Sequence, residues 1–261
     1  MNKNLSIGFF DSGVGGLSVL ARFQEKLPFE NTIYFGDLKN LPYGNKTKDE
    51  LICFAKNILD FFKKQGVKAV VIACNTSSAL AYESIKDLYD FEIYPIIQSS
   101  AKIISQLDVS KIGVFATVGT VKSSAYKTEI AKHNPEVSVY EQACPHWVNI
   151  VETNSLASDE AKLDIKNCVS EMLQNNPDKI ILGCTHYPYL ISELCKYVPK
   201  ENFVDPAEIF VEYIKNDLER KNLLKLNSDN AFHDFYVSAN PELFVENAKL
   251  FYEIKDLPKV V

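Results

Sequence analysis

An internal repeat constrains the fold of this chain more than any other feature of its sequence. The segment IGFFDSGVG at 7–15 resembles IGVFATVGT at 112–120, and VVIACNT at 70–76 resembles IILGCTH at 180–186. The two matches have offsets of 105 and 110 residues, so their order and spacing agree. We therefore predict two similar halves, each of which contributes one cysteine.

Short apolar runs rich in β-branched residues alternate with longer amphipathic runs along the chain. This alternation is typical of parallel sheets in an α/β fold. The predicted strands are Leu5–Phe10, Thr32–Gly36, Ala69–Ala73, Glu92–Ile97, Lys111–Phe115, Val137–Tyr140, Lys179–Leu182 and Phe203–Val204.

Three helices are marked by their end signals. A capping-box pair, Thr47 and Glu50, opens the first helix, and Gly66 follows its last turn. A second helix is predicted over 158–173. Asn240 is predicted to cap a third, which has proline at its first helical position.

Composition excludes several classes of protein. The 261 residues carry 28 Lys and Arg against 34 Asp and Glu, a formal net charge of −6 at pH 7. The lysines are scattered among acidic residues, so we expect no nucleic-acid partner. No stretch approaches the roughly 20 apolar residues that span a bilayer, and the N-terminus lacks the pattern of a signal peptide. Six cysteines without a CxxC pair do not indicate a disulfide framework, so we expect reduced thiols in a cytoplasmic protein.

Polar side chains follow four of the predicted strands, at the edge where open α/β sheets bind ligands. These loops contain Asp11-Ser12-Gly13, Cys74-Asn75-Thr76, Thr117-Val118-Gly119-Thr120 and Cys184-Thr185-His186. Helix N-termini at this edge present free N–H groups, which suit a small anion such as a carboxylate. The nucleotide motifs GxGxxG and GxxxxGK[ST] are both absent from the sequence.

Cys74 and Cys184 occupy equivalent points of the two halves. If the halves face each other, the two thiols lie on opposite sides of one cleft. Each cysteine precedes a predicted helix, whose N-terminus is expected to lower the pKa of the thiol from about 8.5 toward neutrality. A thiolate and a thiol placed in this way form a base and an acid, suited to removing a proton from one face of a carbon and returning it to the other.

Other interpretations of these residues stay open at this point. A lone cysteine at a strand end is more often a small buried apolar residue than a catalyst. Cys74, Cys184 and His186 would also suit a metal or redox site. Asp11 would suit a helix cap and Glu152 a solvated helix charge. Three further cysteines fall within helical patterns and are predicted to be core residues: Cys53, Cys168 and Cys195.

Six phrases resemble those of bacterial glutamate racemases, which are cofactor-independent aspartate/glutamate racemases. They are FDSGVGGLSVL (10–20), YFGD (34–37), LPYGNK (41–46), IACNTSSA (72–79), ATVGTVKSSAY (116–126) and LGCTHYPYL (182–190). The resemblance implies two similar α/β domains, with mostly parallel sheets, that face each other across a cleft. We expect the first domain to comprise 1–97 and a helical return over 208–261, and the second to comprise 98–207.

The resemblance also implies a reaction and its residues. Glutamate would be interconverted between its L and D forms, without pyridoxal phosphate or metal, to supply D-glutamate for peptidoglycan. Cys74 and Cys184 would exchange protons with opposite faces of the α-carbon, with Asp11 assisting the first thiol and His186 and Glu152 near the second. The positions that match substrate contacts or the cleft wall are Asp11, Ser12, Pro42, Tyr43, Gly44, Asn75, Thr76, Thr117, Thr120, Thr185 and His186. A homodimer is expected, because the family is often dimeric.

One stretch departs from the family pattern. His146 and Asn149 stand where the family more usually has apolar residues and a proline. The chain also begins immediately before its first strand, so we do not expect the activation by a cell-wall precursor that some enterobacterial members achieve through an N-terminal extension. Alternative functions are racemisation of a related substrate such as aspartate or a hydantoin, and amino-acid binding without turnover.

Overall fold

The computed structural model describes residues 2–226, 231–249 and 252–261. The strands are β1 (Ile7–Asp11), β2 (Thr32–Gly36), β3 (Ala69–Ile72), β4 (Glu92–Pro95), β5 (Lys111–Ala116), β6 (Ser138–Ala143), β7 (Lys179–Gly183), β8 (Phe203–Val204), β9 (His233–Val237) and β10 (Lys259–Val260). All eight predicted strands are present, and their bounds shift by no more than three residues.

Helices separate most of these strands. The α-helices are α1 (Leu17–Lys26), α2 (Lys48–Gln65), α3 (Asn75–Leu80), α4 (Tyr82–Ile85), α5 (Ile96–Ile104), α6 (Val118–Ser123), α7 (Ala125–Ala131), α8 (Trp147–Glu152), α9 (Asp159–Leu173), α10 (Ile191–Leu194), α11 (Pro206–Arg220) and α12 (Pro241–Ala248). Short 3-10 helices lie at Leu38–Asn40, Tyr43–Asn45, Tyr187–Leu190 and Lys200–Asn202. Among the described helices, none is long and apolar enough to cross a membrane.

The predicted α/β fold with an internal repeat is confirmed by the order of the strands. Within the described residues one sheet runs β10-β9-β2-β1-β3-β4 and the other β6-β5-β7-β8, and every pairing is parallel. The order β2-β1-β3-β4 thus recurs as β6-β5-β7-β8, with the repeated Ile-Gly-x-Phe strands, β1 and β5, in equivalent places. We propose that each sheet with its helices forms one domain, divided near residues 97 and 207.

The sheet of the first half is buried on both faces. Phe9 of β1 packs edge to face on Phe23 of α1, with ring centroids 4.9 Å apart. Its neighbour Phe10 points to the other face and belongs to the same apolar cluster as Phe62 of α2. Because consecutive side chains alternate across a strand, the two neighbouring apolar residues Phe9 and Phe10 require helices on both faces of β1.

The predicted capping signals are largely confirmed. The Thr47 hydroxyl accepts from the Glu50 N–H at 3.3 Å, and a Glu50 carboxylate oxygen accepts from the Thr47 N–H at 2.8 Å. Gly66 ends α2 in the left-handed conformation, with φ 71°. The Ser158 hydroxyl accepts from the Ala161 N–H at 3.1 Å and caps α9. Asn240 is the N-cap residue of α12 and Pro241 is its first helical residue, as predicted, but Asn240 is left-handed and its side chain accepts no capping hydrogen bond.

Two further expectations are wrong. The C-terminal segment is not a purely helical return, because β9 pairs with β2 and extends the first sheet. This strand is only partly buried, so its apolar pattern is weak in the sequence. Cys53 and Cys195 are exposed and are not core residues, whereas Cys168 is partly buried and packs against the core of the second half. Cys53 lies on α2, whose buried face is formed by other residues such as Leu51 and Ala55.

Replacing Gly66 with alanine is expected to destabilise the protein by about 1 kcal/mol, because alanine tolerates a φ of 71° poorly. A new methyl group would contact nothing within 4 Å, so a clash does not contribute. Urea unfolding gives the free-energy difference, with Lys64→Ala on the same turn as the control. Equal stability of the Gly66→Ala variant and the wild type would contradict this explanation of the helix end.

Candidate active site

The carboxyl ends of β1, β3, β5 and β7 place the four polar loops around one gap between the sheets. Asp11 is the last residue of β1, and Cys74 directly precedes α3. Thr117 caps α6, with its hydroxyl accepting from the Thr120 N–H at 3.3 Å. Cys184 follows β7, but it precedes a 3-10 turn rather than the expected α-helix, since the chain turns tightly through Tyr187–Leu190.

Both thiols line one small cavity. Cys74 reaches it from the first half of the chain and Cys184 from the second, and their exposed fractions are 5% and 6%. The lining residues are Ser12, Pro42, Tyr43, Gly44, Cys74, Asn75, Thr76, Thr117, Val148, Cys184, Thr185 and His186. The cavity therefore lies between two potential proton donors.

Three residues assigned to the site from the sequence lie outside the cavity lining. Asp11, Thr120 and Glu152 each contact a lining residue through a hydrogen bond. One lining residue, Val148, was not predicted. Its apolar side chain gives no chemical signal in the sequence, although it belongs to the stretch that departs from the family pattern.

Helix α8 separates the departing residues from the site. Val148 lines the cavity, whereas His146 and Asn149 line a different depression at the surface. Glu152, at the end of the same helix, points to His186. The departure at His146 and Asn149 therefore leaves the cavity wall and the Glu152 contact in place.

The Cys74 thiol is held in its protonated form. Burial, reinforced by the Asp11 carboxylate, raises its pKa from the ordinary value to about 12. The expected lowering of its pKa by the helix N-terminus is therefore wrong for Cys74. The loss of hydration of the thiolate outweighs the dipole of a helix only six residues long.

Asp11 connects the two halves of the chain. One carboxylate oxygen accepts from the Gly13 N–H at 3.0 Å, and the other accepts from the Thr185 hydroxyl at 3.1 Å. The side chain is fully buried, and this burial raises its pKa. The carboxylate therefore lies beside Cys74 with both oxygens already bonded.

His186 and Glu152 form an ion pair next to Cys184. The Nε2 atom of His186 lies 2.7 Å from Oε1 of Glu152, and Nδ1 lies 3.7 Å from Sγ of Cys184. Burial opposes protonation of the imidazole, but its hydrogen bonds to Cys184 and Glu152 prevail and raise its pKa well above the ordinary range. Burial also tends to raise the pKa of Glu152, yet the bond to His186 brings the pKa below its usual value. A charged imidazolium thus donates one N–H to Glu152 and the other to the sulfur.

Hydroxyl and amide groups occupy the remaining wall. Thr76 and Thr117 share a hydrogen bond of 2.9 Å between their hydroxyls, and Thr117 donates to the Thr120 hydroxyl at 3.0 Å. The Tyr126 hydroxyl donates to Oδ1 of Asn75 at 2.7 Å. This bond fixes the orientation of the Asn75 amide. The amide nitrogen is therefore left free to donate into the cavity. Donors of this type bind carboxylates.

The loop at 37–45 is held by a second buried carboxylate. The Tyr43 hydroxyl donates to Oδ2 of Asp37 at 2.5 Å, and the Asn40 amide donates to both Asp37 oxygens at 2.9 and 3.1 Å. These bonds fix Tyr43 and its neighbour Gly44 against the cavity. Within residues 2–226, 231–249 and 252–261, no group of three or more His, Cys, Asp or Glu is arranged to hold a metal ion.

Known proteins resemble this chain along most of its length. The family model described as Asp/Glu/Hydantoin racemase matches residues 14–214. Glutamate racemase 3 of Caldanaerobacter subterraneus subsp. tengcongensis is 37% identical over 252 residues, which cover 95% of this chain and 91% of the relative. The glutamate racemase of Thermoanaerobacter sp. (strain X514) is 39% identical over 247 residues, or 94% of this chain and 92% of the relative.

Solved structures of racemases also resemble this chain. The glutamate racemase of Francisella tularensis, solved in complex with D-glutamate, superposes with a TM-score of 0.92 and 32% identity, covering 99% of this chain and 98% of that one. The Picrophilus torridus aspartate racemase superposes with a TM-score of 0.59 over 85% of this chain and 100% of that one. At 17% identity, this second likeness shows the fold alone.

Alkylation of Cys74 by iodoacetamide is expected to accelerate about tenfold for each pH unit between pH 7 and 10, without levelling off. The reason is that only the thiolate reacts and the pKa of Cys74 is raised to about 12. Peptide mass spectrometry measures the rate at Cys74 alone. The control is the unfolded chain in denaturant, where the rate should level off above about pH 9. Levelling below pH 9 in the folded protein would show that burial does not control this thiol.

Proposed function

The chain belongs to the Asp/Glu/hydantoin racemase family and interconverts L- and D-glutamate, and we propose that Cys74 and Cys184 carry the two proton transfers of this reaction. One observation supports this assignment above the others: the two thiols line a single small cavity and come from opposite halves of the chain. Members of this family are cofactor-independent amino-acid racemases, and the D-glutamate that they form supplies peptidoglycan.

The surroundings of the two thiols determine which one acts first as the base and which acts as the acid. The imidazolium of His186 stabilises negative charge on Sγ of Cys184, which acts as the base. The buried Cys74 retains its proton and acts as the acid. The Cys184 thiolate takes the α-proton, so the C–H bond breaks and an S–H bond forms. Cys74 then gives its proton to the opposite face of the carbanion, and its sulfur is left as the thiolate.

The reverse direction begins from that second state, with Cys74 as the base. Burial and Asp11 both disfavour a thiolate at Cys74, so this state needs a compensating positive charge. The α-ammonium group of glutamate brings such a charge into the cavity that Cys74 lines. The substrate thus stabilises the Cys74 thiolate during its own turnover.

The cavity wall lowers the barrier through electrostatics. The α-hydrogen of an amino acid is only weakly acidic, so the carbanion requires fixed donors around the substrate carboxylates. Two side chains of the cavity lining provide these donors, Ser12 and Asn75, because the Thr185 hydroxyl already donates to Asp11. The loop that carries Tyr43 and Gly44 forms part of the cavity wall, and exclusion of water when substrate binds would strengthen every interaction within the cavity.

We also propose that the enzyme works as a homodimer in the cytoplasm. A reducing compartment keeps both thiols available for proton transfer. The sequence resemblance supports the dimer, and light scattering of the purified protein tests it: the expected mass is twice 29.5 kDa.

Replacing either Cys74 or Cys184 with alanine is expected to reduce racemisation by at least ~10³-fold, because each direction needs both an acid and a base. The assay uses metal-stripped protein with L-glutamate in D₂O, where NMR follows loss of the α-proton and chiral chromatography follows D-glutamate. The matched control is Cys53→Ala, which removes an exposed thiol and should keep full activity.

Full activity in either active-site variant would exclude the two-thiol mechanism. Aspartate in place of glutamate tests the main alternative substrate, and we expect turnover of glutamate to exceed that of aspartate. Binding of glutamate by the folded wild type without exchange of the α-proton would favour a non-catalytic binding protein.

A further inference from the structure

A single side chain of the C-terminal helix reaches the proton-transfer network. Nδ2 of Asn247, on α12, donates to Oε2 of Glu152 at 3.1 Å. The other oxygen, Oε1, is bonded to His186, whose second nitrogen faces the sulfur of Cys184. We propose that Asn247 is a positioning residue for racemisation, acting on Cys184 through Glu152 and His186. This inference rests on the proposed role of Cys184.

Packing of α12 fixes Asn247 in place. Phe244 is fully buried, with its ring centroid 5.9 Å from that of Tyr34. Ala248 is also fully buried, so residues 244, 247 and 248 lie on the face of α12 that meets the protein. The Tyr34 hydroxyl in turn donates to the Gly13 carbonyl at 2.8 Å, beside the site. A shift of α12 would therefore disturb the buried aromatic contact before it moved Asn247.

Glu152 has its hydrogen-bonding positions filled from three directions. His186 donates to one oxygen and Asn247 to the other, and the Val14 N–H also donates to the carboxylate. A Cβ atom on Gly13 would lie 2.7 Å from Oε1, so the carboxylate is confined on that side as well. Without Asn247 the carboxylate gains freedom to rotate, and it holds the imidazole less firmly.

The hydrogen bond from Asn247 to Glu152 should affect the pH dependence of activity. The titratable groups that act on Glu152 or respond to its charge are His186, Asp11 and Tyr34. The amide of Asn247 contributes to the lowered pKa of Glu152. Removing the amide raises this pKa, so Glu152 takes up a proton at a higher pH and the ion pair with His186 is lost sooner. The acid limb of the kcat profile should consequently move to higher pH.

The test is a series of substitutions at Asn247 in the full chain. For Asn247→Ala we expect kcat to fall about 5- to 20-fold, the effect of losing one hydrogen bond to a charged group. KM should change less than twofold, because Asn247 does not line the cavity. The acid limb of the kcat profile should move to higher pH. Asn247→Asp has the same shape but places a second carboxylate beside Glu152, so its loss of kcat should be larger. Asn247→Gln, which keeps an amide donor, should recover part of the activity.

Glu246→Gln is the matched control, because Glu246 is exposed on the same helix. It should leave kcat, KM and the pH profile unchanged. Thermal unfolding of each variant separates a loss of folded protein from a loss of positioning. An unchanged kcat and acid limb in Asn247→Ala would overturn the inference. So would a loss that appears equally in all three Asn247 variants and leaves the pH profile in place, because that pattern indicates a structural role only.

Failure of the inference is distinguishable from failure of the proposed function. The wild type and Cys184→Ala are assayed under the same conditions as the Asn247 series. If Cys184→Ala keeps its activity, the two-thiol assignment fails. If Cys184→Ala is inactive and Asn247→Ala behaves as the wild type does, only the role of Asn247 fails.

Discussion

The chemistry of the cleft depends on one buried contact, the ion pair of His186 and Glu152. An imidazolium that is only 1% exposed requires a partner of opposite charge, because burial alone would remove its proton. Glu152 meets this need from the end of α8, at 2.7 Å. The second nitrogen of the same ring then faces Cys184 at 3.7 Å, so the ion pair supplies a fixed positive charge where a thiolate is needed.

This contact makes the two halves chemically unequal although their strands follow the same order. Cys74 and Cys184 stand at equivalent strand ends, but only Cys184 has a cation next to it. Cys74 instead lies near the buried Asp11, which favours its protonated form. In the proposed mechanism an acid and a base arise from two identical side chains through their surroundings, which suits an enzyme that must act on both faces of one carbon.

Several residues that control the site lie outside the repeated motifs. Glu152 comes from a short helix of the second half, and Asn247 comes from a helix near the C-terminus that packs beside β1 and β2. Tyr126 orients the Asn75 amide from the opposite half. The pseudo-symmetric sheets therefore form a frame, and side chains from distant parts of the chain adjust the chemistry within it.

The sequence by itself determined eight of the strands, their equivalence between the halves, and the placement of both thiols at carboxyl ends of parallel strands. These features follow from local rules: the period of the apolar pattern sets each element, and parallel strands end at a common edge. Only the tertiary structure decided the high pKa of Cys74, the place of Val148 in the cavity, the bond from Asn247 to Glu152, and the addition of β9 to the first sheet. The burial of a side chain and its hydrogen bonds depend on residues that are far apart in the chain, so a local sequence pattern does not predict them.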